Sequence, residues 1–560
     1  MSVTVSYPGV YVEEIPSGVH TITGVATSIT AFVGGAQRGP VNDPVSVFSF
    51  GDFDRTFGGM TADLLPGTTV PLYSMAFAVN DFFLNGGSQA VIVRVVADAA
   101  SLAAAAPAAA PAGKAVAAPA EGANPAPAAP APTAAVAAQI PLGAALTLAA
   151  SSPGSWGNNL SATVDLKTRD QTNKNLFNLT VTETDPVSGQ TVTTETFFNL
   201  STAAQDPTYV ASYLAQNSQL VVVNGAVQAA PAAGSYNATA SSGNDGPPVT
   251  DAQIFGVNLQ ANKQGIYALD KTDIFNLLVI PAYKSPMANT DVAALIANCV
   301  AYCQQQRAFL LVDPPDTWDN SNPSLALTNF IESDFATFHS ASDAPSYAAI
   351  FYPRLQKPNP MMGNQIQVFP SSGTIAGICA RTDAQRGVWK APAGIDATLA
   401  GVTGLTVSLN DGDNGLFNPL GINCLRTFPI IGSIVWGSRT LDGADVMASD
   451  YKYIPVRRFT LFLEQSLYQG TQWCVFEPND EPLWSQIRLN VGSFMQTLFL
   501  QGAFQGGSAS QAYFVKCDGE STTQTDINNG VVNIVVGFAP LKPAEFVVLQ
   551  IQQMAGQTQS

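Results

Sequence analysis

Residues 99–139 restrict the possible folds of this chain more than any other segment. The stretch is an Ala-Pro tract, AASLAAAAPAAAPAGKAVAAPAEGANPAPAAPAPTAAVAAQ, without the large apolar side chains that a core requires. Proline at this density blocks continuous helix and favours extended polyproline II, so the tract reads as a semi-rigid surface spacer. No single core runs through it. At roughly 100 to 200 residues per domain, the 560 residues should hold about three or four domains, each large enough to bury its own core.

The two sides of the spacer have different patterns. Upstream, Pro71 opens a helix with Leu72, Met75, Val79, Phe82 and Phe83 on one side, and Ala90–Val96 reads as a strand. Downstream, residues 141–260 are rich in Thr, Asn, Ser, Gly and Val. Alternation at Leu176–Thr184 and 191–200, around the turn Asp185-Pro-Val-Ser-Gly189, predicts a β-rich module. From about 270 the pattern becomes strand, helix, strand: 274–280, 291–306 and 308–312. That unit implies a parallel pair in an α/β sheet. A second helix is expected at 323–339, with His339 at its negative pole, where an imidazolium is favourable. The chain must return after the module to finish its sheet, so the module reads as an insertion.

The last 170 residues hold a helix at 457–469 and a longer one from Pro482, ended by Gly502, with Trp484, Ile487, Val491, Phe494 and Leu498 at helical spacing. Three strand candidates follow, at 512–516, 530–538 and 545–552.

Charge and chemistry narrow the function. Only 12% of residues are charged and 46% are hydrophobic, which points to surface hidden by partners. A net charge of −17 repels phosphate backbones, so nucleic acid and anionic membrane are poor partners. No run of about 18 apolar residues free of helix breakers predicts a membrane span. The start, MSVTVSYPGVYVEEIPSG, has no basic region followed by an apolar one, so no secretory signal is expected. Two histidines, His20 and His339, leave little for zinc sites or catalytic triads. No phosphate loop, Rossmann fingerprint, GxSxG or HExxH motif is present. Cys299 and Cys303 fall on an apolar helical stripe and read as reduced core thiols. Asp411-Gly-Asp-Asn-Gly415 lacks the glutamate that closes an EF-hand loop and reads as a polar turn. The best enzyme candidate is Asp313-Pro-Pro-Asp316, after a parallel strand where α/β folds place their sites; the plainer reading is a strand stop, with no second titratable cluster marking a pocket. The chain reads as a non-enzyme without cofactor or metal.

Several motifs occur together in order: Tyr7-Pro-Gly-Val-Tyr-Val-Glu-Glu14, Ser155-Trp-Gly-Asn-Asn-Leu160, Arg386-Gly-Val-Trp-Lys-Ala-Pro-Ala-Gly394, Gly421-Ile-Asn-Cys-Leu-Arg426, Trp436-Gly-Ser-Arg-Thr440, Val456-Arg-Arg458, Val475-Phe-Glu-Pro-Asn-Asp480 and Gly537-Phe-Ala-Pro-Leu-Lys-Pro-Ala-Glu-Phe546. The set resembles the contractile tail sheath proteins of bacteriophages and related contractile injection systems. The likeness covers residues 1–98 and about 265–555. It implies an α+β and α/β multidomain, tail-sheath-like fold. The expected parts are an N-terminal arm (1–24), a discontinuous α/β core (25–98 and 266–395), the linker (99–140), an inserted β-rich outer domain (141–265), an inner-tube-proximal domain (396–544) and a C-terminal arm (545–560).

The resemblance also implies a homo-oligomer of stacked helical rings around an inner tube protein, on a baseplate and closed by a terminator or cap. Such a chain is made in the bacterial cytoplasm and works in a virion tail or contractile particle. In this family, terminal arms add strands to a sheet in neighbouring C-terminal domains. The residues agree: Val3, Val5 and Tyr7 alternate with polar neighbours, as do Leu549 and Ile551, so each terminus reads as a strand with one apolar face. The arm residues are accordingly Val3, Val5, Tyr7, Val10, Val12, Phe546, Val548, Leu549 and Ile551. The polar side of the helix from 482, with Gln486, Arg488, Ser493, Gln496 and Gln501, is the expected inner-tube face. The alternative is another self-assembling shell or tube protein.

Overall fold

In the computed structural model, residues 20–99, 133–186, 188–319, 322–323, 327 and 331–550 are described. Their contacts separate two units, one of residues 28–381 and 393–450, the other drawn from 20–27, 382–392 and 451–550.

The larger unit is built on an eight-stranded sheet in the order β18-β17-β13-β12-β11-β1-β3-β2. Its strands are β1 (Thr30–Gly34), β2 (Val45–Val47), β3 (Ala90–Arg94), β11 (Leu277–Val279), β12 (Phe309–Val312), β13 (Ala348–Tyr352), β17 (Asn423–Phe428) and β18 (Gly432–Val435). Neighbours from β3 through β17 pair in parallel, and β2 and β18 close the ends antiparallel. Parallel strands covered on both faces become continuous apolar runs, and β1, β3, β11, β12 and β13 are buried at every position. Helices α1 (Phe50–Phe57) and α2 (Ser74–Leu84) lie between β2 and β3 in sequence. Helix α4 (Asn289–Gln306) carries the expected strand-helix-strand crossover from β11 to β12, which pair in parallel. The thiols of Cys299 and Cys303 lie buried and free on that helix.

The sheet draws strands from both sides of the β-rich module. That module holds a sheet β10-β6-β7-β8 and a second one, β4-β5-β9. Its strands are β4 (Gln139–Leu142), β5 (Leu146–Ala150), β6 (Leu160–Asp165), β7 (Leu176–Thr184), β8 (Thr191–Ser201), β9 (Val221–Asn224) and β10 (Gly234–Asn237), with one helix, α3 (Val210–Asn217). Ile140, Leu148, Trp156, Phe177, Leu179 and Leu214 share its core. Arg94, at the end of β3, is buried; it donates to the carbonyls of Ala36 (2.8 Å), Gln37 (3.2 Å), Gly39 (2.9 Å) and Pro153 (2.8 Å). One guanidinium thus ties the module's Pro153 to the loop after β1.

In the smaller unit, α8 (Ile454–Gly470) and α9 (Glu481–Leu500) pack around Phe459, Leu463, Trp484, Ile487, Val491 and Phe494. Asp480 caps α9, its carboxylate accepting from Leu483 N, with Pro482 in the first turn. A two-stranded ribbon of β19 (Tyr513–Lys516) and β20 (Val535–Phe538) completes it.

Several expectations shift. The spacer ends earlier than 140: Ala138 is buried in the module core, β4 begins at Gln139, and Ala135 N bonds Ala97 O at 2.9 Å. Small alanines pass for linker by composition yet pack where a strand brings them against larger partners. The boundary expected at 395/396 falls inside the larger unit, because β17 pairs with β13 in the main sheet. Asp411-Gly-Asp-Asn-Gly415 is helical (α7, Asp411–Phe417), its start fixed by Asn410 accepting from Asp413 N while Asp413 accepts from Asn410 N. Only Val535–Phe538 of the second C-terminal candidate forms a strand, and residues 545–550 form none. The described part of the helix expected at 323–339 is α5 (Glu332–Ser340), where His339 Nε2 lies 3.2 Å from Asp442 Oδ1.

Candidate assembly surfaces and a cleft in the core sheet

Helix α9 has buried Leu483, Trp484, Ile487, Val491, Phe494 and Leu498 on one side, the stripe its sequence predicts. On the other side Gln486, Ser493 and Gln501 are exposed, as expected for a free polar face, but the remaining two residues are engaged. Gln496 accepts from Tyr513 OH at 2.9 Å. Arg488 donates to Glu481 (2.5 Å), to Ser485 Oγ (2.9 Å) and to Cys517 O. Its bond to Glu481 holds that carboxyl below the usual carboxylate range. Arg488 therefore braces α9 against the turn after β19, on the flank of the exposed face. The centre of that face carries two exposed leucines, Leu489 and Leu500, which sequence reasoning missed. The signal was present: both fall outside the i, i+3, i+4 stripe, so burying the stripe leaves them outward.

The terminal-arm residues divide. Val3, Val5, Tyr7, Val10, Val12 and Ile551 lie outside the described residues. Phe546, Val548 and Leu549 are described, with Val547, as a consecutive apolar run 76–83% exposed and in no strand. Tyr453 OH donates to Glu545 at 3.1 Å, just before this run. In the same unit, the β19–β20 ribbon pairs only within itself among the described residues, so each strand keeps an outer edge of backbone N–H and C=O groups.

In the larger unit, Asp313 and Asp316 line a cleft of about 830 Å³, open mouth included, at the C-terminal ends of β11 and β12. Here the structure corrects the expectation that no second titratable cluster marks a pocket. Tertiary packing brings Lys284, Arg354 and Asp81 to the same walls, with Phe77, Met287 and Phe369. Asp313 takes hydrogen bonds from Ser371 N (3.0 Å), Ser372 N (2.9 Å) and Ser372 Oγ (2.6 Å) at the start of α6 (Ser372–Arg386). Burial outweighs these bonds and pushes its pKa up to about 6. Asp316 pairs with Arg354, which also donates to Asp319 at 2.7 Å. Asp81 pairs with Lys357, and Lys284 bridges Asp251 (2.8 Å) and Asp291 (2.7 Å). Asp81, Asp316, Lys284 and Arg354 thus each already have an opposite partner, Asp313 is held by serine donors, and the arrangement fixes loops and a helix start. Among the described residues no group of three or more His, Cys, Asp or Glu is placed to hold a metal ion, and no helix is long and apolar enough to cross a membrane.

Two units, one on a mostly parallel sheet with a β insertion and one presenting an open β ribbon, define a mixed α/β multidomain sheath-type protein. Family models for the phage tail sheath protein central domain and the phage tail sheath C-terminal domain match residues 260–441 and 447–554, together more than half of the chain. The chain belongs to the contractile tail sheath family. It is 29% identical over 184 residues to the tail sheath protein of Vibrio phage KVP40, covering 32% of this chain and 26% of that relative. It is 27% identical over 282 residues to the tail sheath protein of Burkholderia phage BcepMu, covering 47% and 55%. The matched stretch thus spans about a quarter to about half of these relatives' length.

Among solved structures, the fold resembles a chain of the anti-feeding prophage baseplate, with a TM-score of 0.53, 22% identity and coverage of 99% of this chain and 100% of that one. It also resembles the PVC sheath complex of an extracellular contractile injection system in the contracted state (TM-score 0.54, 19% identity, 99% of both chains). A sheath tail protein from Listeria innocua is similar at a TM-score of 0.54 and 11% identity, covering 93% and 97%. At these identities the likeness establishes the fold.

Proposed function

We propose that this chain is the repeating subunit of a contractile sheath. It polymerises helically around an inner tube on a baseplate, and its contraction drives the tube through a target envelope without nucleotide hydrolysis or catalysis by the subunit. The observation that carries the reading, beside family membership, is the pairing of incompleteness within one unit. One unit holds both a two-stranded ribbon with open edges and a consecutive apolar run, Phe546–Leu549, that its own chain leaves in solvent. A two-stranded ribbon is marginal alone and gains from added strands, which supply main-chain bonds and register. Head-to-tail strand addition that does not close generates a filament. Arms Val3–Val12 and Phe546–Ile551 are the donors in this reading, and β19 and β20 the acceptors. The exposed face of α9, with Gln486, Leu489, Ser493, Gln501 and Leu500, is the side proposed to meet the inner tube. The chain then resides in a phage tail or a contractile particle.

Electron microscopy of the purified full chain tests this. Long hollow tubes are expected; closed shells or dispersed subunits at high concentration would count against it. Deleting residues 1–14 should abolish ordered tubes and leave the thermal transition intact, and normal tubes from that variant would refute arm exchange.

A further inference from the structure

The sheet β10-β6-β7-β8 of the inserted module has two unlike faces. Its inward side chains, Ala162, Val164, Leu179, Val181 and Phe197, belong to the module core. The residues between them point the other way, and the pairing register sets them in rows across the four strands. One row is Ser235, Thr163, Thr180 and Thr196, and the next is Asn237, Ser161, Thr182 and Thr194. Seven of these eight side chains carry a hydroxyl, none carries a charge, and all are half-buried or exposed. Neighbouring hydroxyls meet across the strands, Thr163 Oγ1 with Ser235 Oγ at 3.3 Å and Thr180 Oγ1 with Thr196 Oγ1 at 3.4 Å. Solvent alone would accept charges on this face as readily as hydroxyls.

On β8 the hydroxyls of Thr194 and Thr196 are followed by an aromatic ring. Opposite Asn178, β8 has two residues, Phe198 and Asn199, where regular pairing allows one. Asn199 takes φ +56°, and the extra residue returns Leu200 to the core while Phe198 stays outward, 65% exposed. Asn178, 4% exposed, holds the bulge: its Oδ1 accepts from Asn199 N at 2.8 Å, and its Nδ2 donates to Asp165 (2.9 Å) and to Lys167 O (3.1 Å). A buried, hydrogen-bonded amide thus keeps an aromatic side chain in solvent beside the hydroxyl rows.

We propose that this face binds a neutral polysaccharide, whose hydroxyls exchange hydrogen bonds with the two rows while one sugar ring packs on Phe198. A Ser or Thr hydroxyl both donates and accepts, so the rows can match a partner that is itself covered with hydroxyls. The C–H groups of a sugar ring suit the negative face of the Phe198 ring. The lack of charge on both rows decides against an anionic glycan or a nucleic acid, whose charges would lose water without gaining a counter-charge. It is also a poor face for a second copy of the chain, because the rows offer little of the apolar area that fills the core of a protein interface. The β19–β20 ribbon and α9 belong to the smaller unit, so this site stands or falls separately from the sheath contacts proposed above.

Surface plasmon resonance of the full chain tests this over two immobilised neutral polysaccharides, galactomannan and hydroxyethylcellulose, with alginate as the anionic reference. The wild type is expected to bind at least one neutral surface and to leave alginate bare. Phe198→Ser, and separately Thr163→Val with Thr196→Val, should each lower that response at equal concentration by about fivefold or more. Their thermal transitions should match the wild type, since the altered side chains are exposed. No response on either neutral surface overturns the proposal, as does an equal response on alginate or a response that either variant keeps in full. Tubes are scored in parallel by electron microscopy. Variants that lose both the response and the tubes assign the face to a neighbouring subunit and overturn the proposal; a lost response with normal tubes supports it.

Discussion

Arg458 on α8 and Asp383 form a two-pronged ion pair, with Nη1 to Oδ1 at 3.0 Å and Nη2 to Oδ2 at 2.5 Å, and both side chains are at most 4% exposed. The same guanidinium reaches Thr27 O, so one buried cation joins three separated chain segments of the smaller unit. Removing one partner would strand the other charge in a dry site. Arg458→Ala is therefore expected to cost that unit about 3–5 kcal/mol, read as a lower urea midpoint of its transition. Replacing both residues with apolar ones should cost less than either single change.

Arg94 makes a related prediction for the inserted module. Arg94→Met removes the donor that its four carbonyl acceptors share, one of them, Ala36 O, in a buried residue and the other three in partly buried ones. A loss of several kcal/mol is expected. Hydrogen exchange should rise first at residues 36–39 and around Pro153, while the module's own core around Phe177 keeps its protection.

Asp313 gives the larger unit a pH dependence. Its folded pKa, pushed up to about 6, lies above the unfolded value, so folding takes up a proton between about pH 4 and pH 6. The favourable contribution is complete below the unfolded pKa and is lost as pH rises to about 6, amounting to at most about 3 kcal/mol. Asp313→Asn keeps an acceptor for Ser371 N and Ser372 N but cannot ionise. Its urea midpoint should gain on the wild type as pH rises from 4 to 6.5, and parallel curves for the two proteins would refute the assignment.

The engagement of Arg488 changes how the inner-tube face must be probed. Charge reversal there sets a carboxylate beside Glu481 and removes the bond to Cys517 O, so Arg488→Glu alone disturbs α9 itself. The swap of Glu481→Arg with Arg488→Glu restores the ion pair, though not the bond to Cys517 O, and should assemble better than Arg488→Glu alone. Leu489→Ser with Leu500→Ser should leave the thermal transition nearly unchanged, since both side chains are exposed, while lowering the yield of extended sheath on tubes in co-assembly. Equal yields would remove α9 from the tube contact.

Cutting the chain after residue 544 removes the exposed run Phe546–Leu549 and no part of the core around Phe494. Monomer stability should stay within about 0.5 kcal/mol, the range of surface changes remote from the core, while ordered polymer disappears from sedimentation profiles.

Much of this protein was legible in its sequence because the signals are local. The apolar runs at 90–94, 277–279 and 309–312, the helical stripe from Trp484 to Leu498 and the cap-and-proline start at Asp480 report short-range periodicity and backbone chemistry. Ordered motifs carried the family. The sequence could not separate Ala138 from the spacer, place β17 beside β13, or gather Asp313, Asp316, Arg354 and Lys284 around one cleft, since those outcomes depend on contacts between distant segments. Arg488 shows the difference most plainly. Periodicity put it off the buried stripe, but only the folded chain, by bringing the carbonyl of Cys517 and the carboxylate of Glu481 to its guanidinium, decided that it braces its own helix. An ion pair is set by three-dimensional proximity, which residue spacing along one element does not encode.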